Sequence, residues 1–415
     1  MKMKRFAAAL LAACLLGSCG SDSPEPLVPV KEQNQSLSEP SEDWKEGMRT
    51  FSAVTSAKIL SNTEQAKNTL YSPASLYLAL SATASITGGN TQAELLSLLE
   101  ADSAENLGTE VSRWRRNIYS DQSENKVLID GSIWMDDTLT AKQEALETLA
   151  EQYHTAAFQM DLNDPATAEQ MAQWVREATG GLLGDPETLD PSGNVFSLIS
   201  ALYFYSKWEN EFDPEDTEPG SFSAANGTDT DCEYMKISLE GQYAEQNGVK
   251  TAMLPFANGA SLVFALPEEG TLPAELAADP DFWRDSVLEA PYRKAYVDWK
   301  VPKFQVSGKW NGKLMIPMLQ ELGVSDLFDL KADFSPLTDG GGIFVYDIIQ
   351  EATMTIDEKG GEAAAYTVVE VASSAAAESQ TLEWVEMHLT RPFLFALMME
   401  GTVLFTGIIN NPAAQ

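Results

Sequence analysis

The sequence predicts an α+β fold, in which helices and strands occupy separate parts of one large globular domain. Helical spacing of apolar residues and helix-capping residues dominate the first third of the chain, whereas runs of β-branched and aromatic residues dominate the last half. The two kinds of segment do not alternate, as they would in a wound parallel sheet. With 415 residues, of which 44% are hydrophobic, the chain can bury a large core.

Four segments carry the start or stop signals of helices. Apolar residues recur at helical spacing from Trp44 onward. Two helices are predicted to start where a capping residue precedes a proline, at Ser72-Pro73 and at Asp164-Pro165. Gly180-Gly181 is expected to end the second of these. Residues 91–94, TQAE, form a capping box that predicts the start of a further short helix.

Strands are predicted where β-branched and aromatic residues cluster, namely at residues 126–135, 195–205, 261–266 and 295–304. Residues 392–409 predict a hairpin that turns at Glu400-Gly401. Because residues 195–205 are apolar on both faces, we expect other elements to cover that strand on both sides. A further apolar, β-like segment, residues 343–356, leads into the sequence DEKGGEAAAYT at residues 357–367.

The N-terminal residues are predicted to form a lipoprotein signal peptide (1–18) and a flexible tether (19–43), with one domain spanning residues 44–415. A basic start and a short apolar run end at Leu16-Gly17-Ser18-Cys19, which resembles the bacterial lipobox. We therefore expect Cys19 to be lipidated and the protein to lie on the extracellular face of a bacterial membrane. The alternative is ordinary secretory cleavage beside an incidental cysteine. The tether is rich in Ser, Pro, Glu and Gln and cannot bury a core.

Charge and residue content exclude several classes of function. The net charge of −35 repels phosphate backbones and anionic lipids, so we expect no nucleic-acid partner and no membrane contact beyond the N-terminal lipid. The mature chain would keep Cys232 as its only cysteine besides Cys19, and it has two histidines, His154 and His388, in different contexts. These residues make a metal site or a Cys-His or Ser-His enzyme improbable. The chain also lacks the Gly-x-Ser-x-Gly, His-Glu-x-x-His and Gly-rich phosphate-loop motifs.

Nine segments, in the same order along the chain, carry a family resemblance: residues 68–90, 198–214, 254–256, 262–267, 301–304, 355–367, 391–393, 405–407 and 411–412. They include the Ser-Pro-x-Ser start of a helix, an aromatic-rich Lys-Trp turn, a Pro-Lys-Phe strand and a hinge-like TIDEKGGEAAAYT. The chain is identified on these residues as similar to the serpins. The resemblance implies helices packed around a large central mixed β-sheet plus smaller sheets, with an exposed reactive loop at about residues 358–385.

The resemblance also implies an activity. Serpins are inhibitors and not enzymes: a serine protease, or alternatively a cysteine protease, cleaves the exposed loop and is trapped while the loop inserts into a sheet. A monomer with no metal and no cofactor is implied. The alternative is a non-inhibitory, serpin-fold surface binding protein. Two departures from the family favour it: Gly361 replaces the usual Thr or Ser, and Ser200 and Gln350 replace the usual Asn and His.

The composition of the hinge meets the physical demands of insertion. A central strand needs every backbone N–H, so it must lack proline, and it must be small to enter a packed sheet. Read alone, the stretch favours a flexible, Ala-rich surface hairpin loop; read together with the other matching segments, it favours the insertion hinge. In a strand, Gly361, Ala363, Ala365 and Thr367 would face inward, because Glu362 on the other face cannot be buried unpaired. The hinge residues implied by the resemblance are Glu358, Lys359, Gly360, Gly361, Glu362, Ala363, Ala364, Ala365, Tyr366 and Thr367.

Two supporting clusters are also implied by the resemblance. A sheet-opening cluster would comprise Ser72, Ser75, Ser200 and Gln350. A top-of-sheet cluster would join Trp208 to an ion pair between Lys303 and Glu358.

The bond that the protease cleaves is expected within residues 372–381. Counting from Glu358 as the family does ends the insertable segment at Ser374, which makes Ser374–Ala375 the candidate bond. Counting back from Pro392 reaches Thr381 instead, so the loop is longer than usual. The residues in this window are mostly small and suit the shallow pockets of elastase-like or subtilisin-like proteases. A bond near Glu378 would indicate a Glu-preferring protease.

Overall fold

A computed structural model describes residues 24–31, 38–61, 63–64, 67–181, 183–186, 189, 191, 196–360 and 382–414. Within them lie eight α-helices: α1 Glu42–Leu60, α2 Pro73–Ser85, α3 Gly89–Leu98, α4 Ala104–Ile118, α5 Gln143–Gln152, α6 Pro165–Ala178, α7 Pro273–Ala277 and α8 Gly312–Glu321. The described strands are β1 Thr69–Tyr71, β2 Ser120–Gln122, β3 Asn125–Asp136, β4 Thr155–Met160, β5 Phe196–Ser206, β6 Glu218–Ser223, β7 Asp229–Gln246, β8 Val249–Pro255, β9 Ser261–Pro267, β10 Arg293–Pro302, β11 Phe304–Trp310, β12 Asp347–Ile356, β13 Trp384–His388, β14 Phe393–Met399 and β15 Thr402–Ile409.

The strands form two sheets, which confirms the predicted α+β architecture of helices packed around mixed sheets. In the six-stranded sheet the order is β11-β12-β5-β3-β2, with β4 also paired to β3. In the nine-stranded sheet the order is β1-β15-β14-β9-β8-β7-β10-β13, with β6 paired to β7. The segment 361–381 therefore connects an interior strand of one sheet, β12, to an edge strand of the other, β13.

The seam between β12 and β5 is the least extensively paired part of the six-stranded sheet interior. The two strands run parallel and pair over five positions, from Asp347 opposite Ser197 to Glu351 opposite Ala201. Beyond those positions residues 352–356 and 202–206, all of them described, have no register partners across the seam. On its other side β5 pairs with β3 along its whole length. The seam is thus paired at one end and unpaired toward the C-terminal ends of β12 and β5.

Core residues cover β5 on both faces, as its sequence predicts. On one face lies the main core, which includes α2, buried along all but its last residue, together with Leu198, Leu202 and Phe204 of β5. On the other face α6 contributes to a smaller cluster that contains Ile199 of β5 and Ile349 of β12. Helix α6 therefore packs beside the seam, over β5 and β3 on the face away from the main core.

Most of the predicted elements are confirmed, and two predictions are wrong. Helix α3 begins at Gly89 rather than at the capping box, because Thr91 accepts a hydrogen bond from the Asp333 backbone N–H (3.0 Å) instead of capping the helix. The predicted strand at residues 295–304 is two strands in different sheets. β10 ends at Pro302, β11 begins at Phe304, and the chain crosses between the sheets at Lys303.

Part of the segment predicted as a flexible tether packs against the domain. From residue 24 to 31 side chains are alternately half-buried and exposed, as in an extended strand. The Leu27 N–H donates to the carbonyl oxygen of Ala157 on β4 (2.8 Å), and Val28 and Val30 pack against the two core clusters. In the described part of the chain, no helix is both long enough and apolar enough to cross a membrane.

Candidate functional site

The chain reverses direction immediately after β12, at residues 357–360, which we call the N-terminal foot of the predicted loop. The backbone N–H groups of Lys359 and Gly360 donate to the Asp357 carboxylate (2.9 and 3.2 Å), and Asp357 also bridges to Gly360. Gly360 then forms an antiparallel bridge with Lys207, the residue that follows β5. The turn therefore directs the chain back along β5, antiparallel to both strands of the seam.

Only glycine fits the last position of this turn. Gly360 has a φ of +137°, a conformation that residues with a side chain rarely adopt. A Cβ atom there would lie 2.2 Å from the Ser206 carbonyl oxygen and 3.0 Å from the Trp208 backbone nitrogen. The close approach of the turn to the end of β5 therefore depends on this residue.

Trp208 holds the turn against the body of the protein. Its ring is buried and stacks on Phe256, with a centroid separation of 4.2 Å and an interplanar angle of 11°. The indole N–H donates to the Asp357 carbonyl oxygen, and the Trp208 backbone N–H donates to the Lys359 carbonyl oxygen (both 2.9 Å). One residue thus fixes both ends of the turn.

An ion pair and a hydroxyl hold the glutamate of the turn. Glu358 Oε1 lies 3.2 Å from Lys303 Nζ and accepts a hydrogen bond from the Thr217 hydroxyl (3.0 Å). Burial acts to raise the pKa of Glu358, but its own backbone N–H, the Thr217 hydroxyl and the Lys303 ammonium group outweigh burial and lower that pKa. Burial acts to lower the pKa of Lys303, but the Glu358 and Glu233 carboxylates raise it overall.

The three residues assigned from the sequence to the top-of-sheet cluster therefore lie around one turn. Sequence reasoning missed Asp357, Thr217 and Phe256, which complete it. Asp357 could have been found, because an aspartate two residues before a backbone N–H that it can accept, with glycine following, is the signature of an Asx turn. Nothing local marks Thr217, which donates to Glu358, or Phe256, which stacks on Trp208, because both lie far from the turn in the sequence.

The second assigned cluster lies at the closed end of the seam. Gln350 is fully buried and exchanges two hydrogen bonds with the Ser72 backbone: the Ser72 N–H donates to Oε1 (3.1 Å), and Nε2 donates to the Ser72 carbonyl oxygen (2.8 Å). The Ser72 hydroxyl accepts from the Ser75 N–H (3.2 Å), which caps α2, and donates to the Leu404 carbonyl oxygen (2.8 Å). Gln350 faces Ser200 across the seam. In the described structure the Ser75 and Ser200 hydroxyls are buried without a hydrogen-bond partner.

Residues 382–388, the next described residues after Gly360, are called here the C-terminal foot of the loop. Here β13 runs parallel to β10 at the edge of the nine-stranded sheet. Trp384 stacks on Tyr296 of β10, with ring centroids 4.9 Å apart. At the end of the strand His388 Nε2 lies 2.9 Å from an Asp298 carboxylate oxygen.

Several assigned residues lie outside the described part of the chain. They are the lipidation residue Cys19, the hinge residues Gly361, Glu362, Ala363, Ala364, Ala365, Tyr366 and Thr367, and the candidate cleavage residues Ser374 and Ala375. Among the described residues, no group of three or more His, Cys, Asp and Glu side chains is arranged to hold a metal ion. Burial raises the pKa of the half-buried Cys232 thiol.

Comparison with known proteins identifies the family. The family model for Serpin (serine protease inhibitor) matches residues 48–412. Serpin-Z1C of Triticum aestivum is 29% identical over 388 residues, which cover 87% of this chain and 94% of the relative. The structure of the thermophilic serpin tengpin in the native state is similar with a TM-score of 0.76 and 23% identity, covering 92% of this chain and 97% of tengpin. Thyroxine-binding globulin in complex with thyroxine is similar with a TM-score of 0.74 and 21% identity, covering 90% and 99%. The chain belongs to the serpin family of serine protease inhibitors.

Proposed function

We propose that this protein is a suicide inhibitor of serine proteases. The target protease cleaves the loop between the two feet and is held as a covalent acyl-enzyme, while the part of the loop before the cut inserts between β5 and β12 as a new central strand. The inhibitor supplies no catalytic residue, because the protease's own nucleophile forms the ester. A cysteine protease could be trapped in the same way through a thioester.

The observation that carries this proposal is the antiparallel bridge between Gly360 and Lys207 beside the half-open seam. Each residue after Gly360 can pair with one residue before Lys207. Continued in this register, residues 361–371 would lie opposite residues 206–196 and span β5. Insertion would then replace one parallel pairing of β5 and β12 by two antiparallel pairings, which are slightly more stable for each residue.

The side chains of the hinge fit this register. Ala363 would lie opposite Phe204, and Ala365 opposite Leu202, both in the main core. Directly opposed residues of an antiparallel pair point to the same face. The small side chains would therefore meet the packed core, and Glu362, opposite Tyr205, would point to the other face. This matches the orientation that the sequence predicts from the charge of Glu362.

The energy available is enough to do work on a bound protease. About eleven residues would gain backbone hydrogen bonds, and at about 1 kcal/mol net for each bond the gain is on the order of 10 kcal/mol. That figure is comparable with the stability of an ordinary domain. Residues 352–356 and 202–206, which have no partners across the seam, would be among those that gain them. The uninserted form is then metastable, and cleavage releases it.

Target class and location belong to the same proposal. The small residues in the window 372–381 suit elastase-like or subtilisin-like proteases. A lipid on Cys19 would hold the inhibitor on the extracellular face of a bacterial membrane, where it would meet secreted proteases.

The test uses the soluble chain from residue 20 onward, mixed with pancreatic elastase. We expect an SDS-stable adduct with the summed mass of inhibitor and protease. The separately cleaved inhibitor should melt at a much higher temperature than the intact one. Cleavage without an adduct and without a rise in melting temperature would contradict the proposal.

That contrary outcome would favour the alternative, a non-inhibitory surface binding protein of serpin fold. Two features favour this second function: glycine at position 361, and the unpaired buried hydroxyls of Ser75 and Ser200 next to Gln350. A poorly satisfied cluster at the closed end of the seam would weaken control over insertion.

A further inference from the structure

Trp384, which lies beside the predicted loop, is much more exposed to solvent than the other tryptophans. Of the nine tryptophans, all of them in described residues, only Trp384 is exposed (58%). On β13 the side chains of Val385 and Met387 are buried, whereas Trp384 and Glu386 face outward. Trp384 stacks on Tyr296 of β10, and two adjoining aromatic rings at the edge of a sheet form an apolar patch of the kind that a partner protein covers.

This aromatic surface is held in a fixed geometry. Trp384 and Tyr296 stack at an interplanar angle of 26°, and the Tyr296 hydroxyl donates to the Ser238 carbonyl oxygen (3.2 Å). An ion pair between Arg293 and Glu383 (2.8 Å) lies beside the stack. Rigid aromatic side chains lose little conformational entropy on binding and dominate the energetics of many interfaces.

Carboxylates outnumber basic groups around the stack, where the basic groups are Arg293, paired with Glu383, and the exposed Lys294 on the same face of β10 as Tyr296. Glu386 follows on the same outward face, and Glu240 lies opposite Tyr296 on β7. Both carboxylates are exposed, and neither forms a salt bridge within the described residues. An aromatic face flanked by carboxylates favours a Lys or Arg side chain, through cation–π and ionic attraction together. The net charge of −35 favours a basic partner as well.

We propose that Trp384 and Tyr296 form a second docking surface for the target protease, and that the matching protease surface carries a basic side chain on the rim of its cleft. The inference rests on the proposed function. The chain between the cleavage window 372–381 and Trp384 is three to twelve residues long, at most about 10–40 Å when extended. A protease domain of about 230 residues has a radius of gyration of roughly 17 Å. A protease seated on the loop therefore stands over the C-terminal foot.

The experiment measures two quantities with pancreatic elastase for Trp384→Ala and for wild type. The first is the second-order rate constant of adduct formation, and the second is the affinity for elastase whose nucleophilic serine is replaced by alanine. We expect Trp384→Ala to reduce both about tenfold, and Trp384→Phe to retain most of each. Tyr346→Ala is the matched control, because Tyr346 is 55% exposed but lies just before β12, at the opposite end of that strand from the loop. Raising the salt concentration should reduce the rate more for wild type than for Glu386→Gln.

The outcomes separate the inference from the proposed function. If Trp384→Ala forms the adduct at the wild-type rate and binds inactive elastase equally well, the docking surface is refuted while the inhibitory function stands. If wild type is cleaved without an adduct and without a rise in melting temperature, the proposed function fails, and the affinities for inactive elastase still decide the docking surface. Far-ultraviolet circular dichroism and melting of each variant show whether a loss reflects misfolding, in which case Trp384→Phe and Glu386→Gln provide the measurement.

Discussion

The two feet of the loop differ in whether their strands can gain further pairing partners. At the N-terminal foot, Gly360 is buried, makes one antiparallel bridge to Lys207, and stands at the open end of a seam. At the C-terminal foot, β13 is already paired along its whole length with β10 and has its other side at the sheet edge. One foot can extend its sheet pairing inward, and the other cannot. Under the proposed mechanism, this asymmetry would let the part of the loop before the cut insert, and not the part after it.

The largest test of this asymmetry places an arginine on one face of the inserting segment. Ala363→Arg would direct a charge at Phe204 in the main core, whereas Ala364→Arg would direct it to the opposite face, opposite Tyr203. Burying an unpaired charge costs several kcal/mol. We expect Ala363→Arg to be cleaved by elastase without adduct formation or thermal stabilisation, and Ala364→Arg to retain both. Equal behaviour of the two variants would show that the register continued from Gly360 is wrong.

Local residue patterns predicted the helices and strands around the seam better than they predicted which distant residues these elements contact. Ser72-Pro73 and Asp164-Pro165 mark helix starts because capping depends on neighbouring residues alone. The contact of Trp208 with the turn joins residues about 150 positions apart, and only family resemblance pointed to it. The prediction of one strand at residues 295–304 was wrong because β propensity does not show that the chain changes sheets at Lys303.

The prediction of a flexible tether missed the packing of residues 24–31 for a related reason. Its composition indicates disorder, since residues 24–31 include three prolines. Prolines favour an extended chain, however, and Val28 and Val30 alternate with exposed residues, so the segment can lie along the edge of β4. The composition of the whole segment does not show which of its residues contact the domain. The exposure of Trp384 could not be predicted from the sequence either, because it depends on β13 being an edge strand.

The second test removes the turn on which the N-terminal foot depends. Gly360→Ala places a Cβ atom 2.2 Å from the Ser206 carbonyl oxygen at a φ of +137°. We expect a loss of about 3 kcal/mol in the free energy of unfolding. Gly341→Ala is the control, because a Cβ there meets nothing within 4 Å. Chemical denaturation of both variants measures the effect, and similar midpoints for the two would contradict the role given to the turn.

The third test concerns the ion pair of the N-terminal foot. Glu358→Gln should lower the free energy of unfolding by about 2 kcal/mol, because Glu358 is largely buried and accepts charge-assisted hydrogen bonds. The pKa of Glu358 is lower in the folded protein, so its contribution is complete above its ordinary value of 4.5 and is lost as the pH falls through the folded value. Wild type should therefore lose its advantage over Glu358→Gln on acidification. A difference that stays constant from pH 7 to pH 3 would contradict this.

The smallest expected effect lies at the C-terminal foot, where the corresponding ion pair is exposed. Arg293 and Glu383 are 48% and 55% exposed, so water and salt screen their attraction. Glu383→Gln should change the free energy of unfolding by about 0.5 kcal/mol or less. Measured beside Glu358→Gln at the same pH and salt concentration, it compares the same substitution at both feet. If Glu383→Gln were the more destabilising change, the exposed ion pair would contribute more to stability than the buried one, and the N-terminal foot would not be the more firmly held of the two.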